Sequence, residues 1–226
     1  LGVGAPEYVA SVANEEGIGD FMTLTVEGGA VGGVPAGGIR FGSAYNADAL
    51  LDQGYQFDFY DGGGLDLCYL GLAECDGHGN INVSRFGPRI AGCGGFINIT
   101  QNTHKVFFCG TFTAGGLKVK VEDGKVVIAQ EGKQKKFLKD VEQITFNGDI
   151  ALQNKQEVMY ITERCVFQLK EDGMHLTEIA PGIDLQTQIL DMMDFEPIVD
   201  RDANGEIKLM DAKLFAEGLM GLKEMK

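Results

Sequence analysis

Seven of the fifteen residues from position 28 to 42 are glycine, and Pro35 interrupts them. No regular helix or strand tolerates that density, because each glycine adds backbone entropy and admits positive φ. The segment reads as a long loop with unusual backbone angles. Glycine makes up 33 of the 226 residues, about twice the usual share, and is concentrated before residue 125. That half must contain many tight turns and close backbone approaches. Glu27 stands at the threshold of the loop, between Val26 and Gly28. A second cluster, Gly92-Cys93-Gly94-Gly95-Phe96, offers a bare backbone with several N–H groups. A carboxylate nucleophile and a backbone oxyanion site are what acyl transfer through an enzyme-bound anhydride needs.

The chain is long enough for one large domain or two small ones, and 44% hydrophobic residues mark it as globular. A net charge of −14 argues against a non-specific nucleic-acid binder, which needs a basic surface. An anionic ligand would be held by local Lys, Arg or backbone N–H groups. No polybasic membrane patch, signal peptide or apolar run of about 18 residues is present. The five cysteines are odd in number and lack CxxC spacing, and Cys68, Cys109 and Cys165 lie in apolar runs. They read as buried, reduced thiols in a cytoplasmic protein. His78, His104 and His175 are too scattered to suggest a metal site. The chain opens on Leu1-Gly2-Val3-Gly4 and runs at once into a strand-to-helix turn, so a preceding segment is expected.

Residues 5–16 read as a helix with Pro6 in its first turn, ended by Gly17 and Gly19. A strand is expected at 22–26, a short helix capped by Asn46 at 46–53, and a strand at 57–60. Residues 65–73 read as a strand buried on both faces, followed by a hairpin that turns at 76–80 and returns at 81–86. A helix at 97–102 and a buried strand at 105–108 come next. A second hairpin spans 117–121 and 125–129. Short strands are expected at 141–146, 158–162, 165–169 and 174–179, and helices at 184–190 and 211–224. Mixed strand and helix, then a strand-rich stretch, then helices, describe an α/β domain with an antiparallel β portion.

Each motif also has a plainer reading. Glu27 is, on spacing alone, an exposed loop carboxylate as readily as a nucleophile among glycines. The run at 92–96 is a tight turn as readily as a set of N–H groups aimed at an anion. Cys93 has no His or basic neighbour in sequence to activate it. The loop at 28–42 lacks the GKS/T ending of a phosphate loop. The lysines of 133–139 read as a solvated turn, with a nucleotide phosphate contact as the sharper alternative.

GVGAPEYVA at 2–10, VEGGAVGGVPAGG at 26–38, NADALLDQGYQFDFYDGGGLDLCYLGLAECD at 46–76, GNINVSRFGPRIAGCGGFINITQNT at 79–103, TERCVF at 162–167 and EIAPGIDLQTQIL at 178–190 together resemble the family I coenzyme A transferases. The similarity is to the C-terminal half of the propionate (short-chain acid) type and covers essentially the whole chain. The resemblance implies the α/β fold shared by CoA-transferases and ribose-phosphate isomerases. It implies that residues 1–226 are the catalytic-glutamate domain of a longer two-half enzyme. The N-terminal half and further copies of the enzyme would then be partners, in a homo-oligomer, with no nucleic acid, membrane or metal involved. Glu27 matches the catalytic glutamate. The 92–96 run matches the glycine motif near the thioester, with Gly94 and Gly95 as oxyanion donors and Gly92 and Phe96 beside them. Many members flank the glutamate as Ser-Glu-Asn-Gly; here Val26, Gly28 and Gly29 take those places. The implied activity moves coenzyme A, as substrate and covalent intermediate, between acyl-CoA and short carboxylic acids such as acetate, propionate or lactate. An acyl-CoA hydrolase on the same scaffold, or a non-catalytic ligand or sugar-phosphate module, are the rival readings.

Overall fold

The computed structural model describes residues 1–225. A 3-10 turn at Ala5–Glu7 leads into helix α1, Tyr8–Glu15. Pro6 sits in that first turn, where its missing N–H costs nothing. Gly17, at φ 69°, ends the helix in the left-handed region. Helix α2 spans Gln53–Asp61, α3 Phe96–Gln101 and α4 Gly148–Gln153.

The centre of the molecule is a seven-stranded mixed sheet. Its strands are β1 Leu67–Gly71, β2 Lys105–Cys109, β3 Glu157–Ile161, β4 Cys165–Lys170, β5 Gly173–Ile179, β6 Ile198–Val199 and β7 Lys208–Leu209. They lie in the order β6-β5-β4-β3-β2-β1, with β7 also paired to β5. The first three run parallel, in a register that sets Phe108 beside both Leu70 and Tyr160. β4 and β5 return antiparallel. Parallel neighbours need crossovers, and α2, α3 and α4 lie in the long connections before β1, β2 and β3. The Gly2 N–H donates to Tyr69 O at 2.7 Å, so the chain start lies along the outer edge of β1.

Phe108, fully buried, lies 5.0 Å from Phe146 and 5.4 Å from Tyr160, ring centre to centre, and stacks on Phe96 of α3. A second aromatic group joins Phe112, Phe137 and Phe167. The TERCVF segment supplies Arg164, which is fully buried. Its guanidinium meets Glu131 bidentately at 2.8 and 3.0 Å and Glu163 at 2.6 Å, and it lies over the Phe112 ring. A buried guanidinium requires such pairing.

The expected helix at 5–16, the strands near 105–108, 158–162, 165–169 and 174–179, and the hairpin Lys118–Glu122 with Lys125–Gln130 are all present. The hairpin near residue 76 is short, with Glu74–Cys75 against Ile81–Asn82. Several expectations fail for identifiable reasons. The segment 22–26 forms only one bridge, Thr25 with Val31. Asn46 caps nothing; it has φ 52° and turns the chain. The helix begins at Gln53 instead and runs through 57–60, the expected strand, because the Asp52 carboxylate accepts the Gly54 N–H at 3.0 Å. β1 alternates buried and half-buried rather than hiding both faces, with Tyr69 stacked on Phe107 at 4.8 Å on the more open side. Residues 141–146 make a single bridge, Ile81 with Phe146. The expected helix at 211–224 is two 3-10 turns, Ala212–Phe215 and Leu222–Glu224, parted by Gly218 and Gly221 at positive φ. At 184–190 the helix is one turn, Leu185–Gln188.

Cys68, Cys75 and Cys165 are buried, Cys109 is half-buried and Cys93 is exposed; all are free thiols. Burial pushes the Cys68 thiol up to about 12 and that of Cys109 to about 11. The lysine stretch is not one solvated turn. Lys135 pairs with Asp194 at 2.8 Å. Lys136 is buried, donates to Thr111 O at 2.6 Å, and is pushed down to about 8, chiefly by desolvation. Among the described residues no helix is long and apolar enough to cross a membrane.

Candidate active site

Glu27 sits at the tip of a tight turn. The Gly29 N–H closes on Val26 O at 2.9 Å, and the Val26 N–H reaches Ala30 O at 3.0 Å. Gly29 is required twice over: its φ is 104°, and a Cβ there would collide with the Leu51 carbonyl. The side chain of Glu27 projects into the wall of a cavity of about 520 Å³ that is also lined by Thr25, Gln56, Tyr60, Cys68 and Ile99. Among the described residues no donor satisfies the Glu27 carboxylate, and no Lys, Arg or His pairs with it. Its oxygens thus face a recess that is mostly apolar, free of protein hydrogen bonds.

The glycine cluster at 92–96 comes to meet it. A Cβ placed on Gly95 would fall 2.8 Å from Glu27 Oε1 and 2.9 Å from Phe57 Cζ. Gly95 has φ −79°, which any residue adopts, so a larger residue there would meet these two side-chain ends rather than backbone strain. The backbone donors of the cluster divide cleanly. The Gly92 N–H is taken by Ser84 O at 3.0 Å, and the Phe96 N–H by Cys93 O at 3.0 Å. Among the described residues the N–H groups of Cys93, Gly94 and Gly95 have no protein acceptor. Gly94 and Gly95, the donors expected from the resemblance, thus both carry an N–H that no protein group occupies. Gly92 and Phe96 shape the loop, and the buried Phe96 ring packs into the core. Gly94, at φ 52°, has open space around it.

The site holds more than the sequence disclosed. Tyr60 donates to Thr25 Oγ1 at 2.8 Å and accepts from Gln56 Nε2 at 2.9 Å. Burial raises the Tyr60 phenol, and the negative charge of Glu27 adds to the shift, so Tyr60 stays protonated. Taking 57–60 for a strand hid this pair. The signal was the i, i+4 spacing of Gln56 and Tyr60 on a helix. Cys93 is exposed and outside the cavity lining. The three histidines do not line the cavity either. Among the described residues no group of three or more His, Cys, Asp or Glu is placed to hold a metal ion.

The site's geometry coincides with strong similarity to known proteins. No family model matches the chain. The chain is 53% identical over 221 residues to the acetate CoA-transferase YdiF of Escherichia coli K12, covering 98% of this chain and 41% of that protein. It is 53% identical over 227 residues to the caffeate CoA-transferase of Acetobacterium woodii, covering 98% of this chain and 42% of that one. The solved structure of the acyl-CoA transferase YdiF from E. coli O157:H7, as a thioester complex with CoA, superposes with a TM-score of 0.90. It is 52% identical over 97% of this chain and 41% of its own. The chain thus spans about two fifths of the length of these relatives. At that identity, with the α/β fold shared throughout, the chain belongs to the family I coenzyme A transferases.

Proposed function

We propose that this chain is the glutamate-bearing portion of an enzyme that transfers coenzyme A from an acyl-CoA to a free carboxylic acid, with Glu27 as nucleophile. The observation that carries the reading is the unpaired Glu27 carboxylate pressed against Gly95, next to two unused backbone N–H groups. Glu27 attacks the thioester carbonyl, and the N–H groups of Gly94 and Gly95 receive the oxyanion. The C–S bond breaks, CoA leaves as thiolate, and a mixed glutamyl anhydride remains. The thiolate then attacks the Glu27 carbonyl, expels the first acid as carboxylate, and leaves a glutamyl-CoA thioester. A second carboxylate attacks that carbonyl and displaces the thiolate again. The thiolate takes the new acyl group and frees Glu27. One thioester replaces another, so no proton, electron or external energy is consumed. The long pantetheine and nucleotide portion of the substrate supplies binding energy to the reacting centre.

The acids we assign are short: acetate, propionate, lactate and their neighbours. A cavity of about 520 Å³ with aliphatic and aromatic walls sorts them weakly, since one methylene in such a pocket is worth about 1–3 kcal/mol. One relative is named for acetate and another for caffeate, each 53% identical to this chain, which is why the test spans both kinds of acid. The remaining three fifths of the longer protein, by this reading its N-terminal half, completes the pocket, and the assembled enzyme is a homo-oligomer.

The test uses the full-length protein. CoA exchange from acetyl-CoA is measured against acetate, propionate, lactate, butyrate and caffeate, with an acceptor-free control. Exchange that requires acceptor, favours the short acids and is abolished in Glu27→Ala with an unchanged melting temperature supports the reading. Normal exchange in Glu27→Ala, or CoA release independent of acceptor, rejects it. A preference for caffeate rejects the short-acid assignment.

A further inference from the structure

Helix α2 is bolted to the backbone immediately before Glu27. Gln56 and Tyr60 lie one helical turn apart and point the same way. Tyr60 OH donates to Thr25 Oγ1 at 2.8 Å, and Gln56 Nε2 donates to Tyr60 OH at 2.9 Å. Gln56 Nε2 also reaches Val26 O, at a long 3.5 Å. Thr25 and Val26 are the two residues preceding the carboxylate. The next side chain of the helix, Phe57, sets its ring 2.9 Å from where a Gly95 Cβ would lie. One helix thus touches both walls of the site.

The arrangement is costly. Gln56 is fully buried, and its Oε1 has no hydrogen-bond partner. A buried acceptor left unpaired lowers stability. Leucine at 56 would remove it and strand nothing. Val26 O would still accept from Gly29 N–H, and Tyr60 OH would still donate to Thr25. A residue that costs stability, in contact with the turn that presents the nucleophile, calls for a functional reason.

We propose that Gln56 and Tyr60 are positioning residues: through Thr25 and Val26 they fix the height of the Glu27 carboxylate against the Gly94–Gly95 backbone. The inference rests on the reading of Glu27 as nucleophile. Both side chains line the cavity, and neither hydrogen-bonds Glu27. Their effect is on alignment, where an ångström of misplacement costs about 100-fold in rate. Burial and the nearby Glu27 charge keep the phenol of Tyr60 protonated, so it remains a donor to Thr25.

The experiment compares full-length wild-type enzyme with Gln56→Leu and Tyr60→Phe. Three quantities are read: the rate of glutamyl-CoA formation by rapid quench and mass spectrometry, the KM for acyl-CoA, and the melting temperature. The expected result is adduct formation slowed roughly tenfold or more, within the range set by misalignment. KM for acyl-CoA changes less than the rate of adduct formation, and Gln56→Leu melts no lower than wild type. A general loosening would lower stability and raise KM together, and that pattern overturns the proposal. Adduct formation at the wild-type rate in both variants overturns it too, while leaving Glu27 as nucleophile intact. Absence of any adduct at Glu27 in the wild type removes the functional reading itself. Should Gln56→Leu fail to fold, Tyr60→Phe carries the test alone, since it deletes a single hydroxyl.

Discussion

Gly95 makes the sharpest claim at the scale of one residue. Its backbone is ordinary, at φ −79°, so alanine meets no conformational penalty there. What alanine meets is the Glu27 carboxylate at 2.8 Å and the Phe57 ring at 2.9 Å. The ring is packed beside Tyr60, 5.5 Å between centroids, and the carboxylate is the freer neighbour. Gly95→Ala should therefore displace Glu27 from the oxyanion donors. Overpacking of this kind costs about 1–3 kcal/mol in stability. Misplacing the nucleophile by about an ångström costs about 100-fold in rate. We expect a small fall in melting temperature with a fall of about 100-fold in transfer, measured on the full-length enzyme. Transfer within about twofold of wild type would show that the contact is passive packing. The glycine itself was legible in the sequence; the reason for it was not, because Glu27 lies 68 positions away.

At the scale of elements, α2 decides how well the site is built. Its start depends on Asp52, whose carboxylate accepts the Gly54 N–H. Asp52→Ala should cost about 1 kcal/mol, the usual value of an N-cap, and lower the thermal midpoint by a few degrees. An unchanged midpoint would mean that tertiary packing alone sets the helix boundary. This helix was also where sequence reading failed. Phe57, Phe59 and Tyr60 supply the aromatic content of a strand, and the alternation Phe57-Asp58-Phe59 mimics its period. Asn46 offered a false cap that the chain uses as a left-handed turn. Elements whose pattern agreed with their context were legible: the apolar runs of β2, β3 and β4, and the Glu122-Asp123-Gly124 hairpin turn. Residues 141–146 have strand composition, but their backbone pairs only with Ile81 (Thr145 N–H to Ile81 O at 2.8 Å, Ile81 N–H to Phe146 O at 3.0 Å), and the rest is held by side chains such as the Thr145 hydroxyl, which accepts from Val83 N–H at 3.1 Å. No local pattern encodes such a contact.

At the scale of the whole molecule, the fold brings a turn near residue 27 and a loop near residue 95 together over the open edge of the sheet. β1 is the outermost strand, covered by residue 2 at its edge. The apolar residues Phe21, Ile39 and Leu50 are exposed in this first part of the chain. Transfer by the proposed route draws only on Glu27 and the backbone of 94–95 from the described chain, and it passes through one covalent adduct. Full-length enzyme incubated with acyl-CoA in the absence of acceptor, analysed by intact mass and peptide mapping, should carry coenzyme A as a thioester on the peptide containing Glu27, and lose it on addition of acetate. Protein that stays unmodified, or carries the label elsewhere, for instance as a disulfide on the exposed Cys93, would contradict the account.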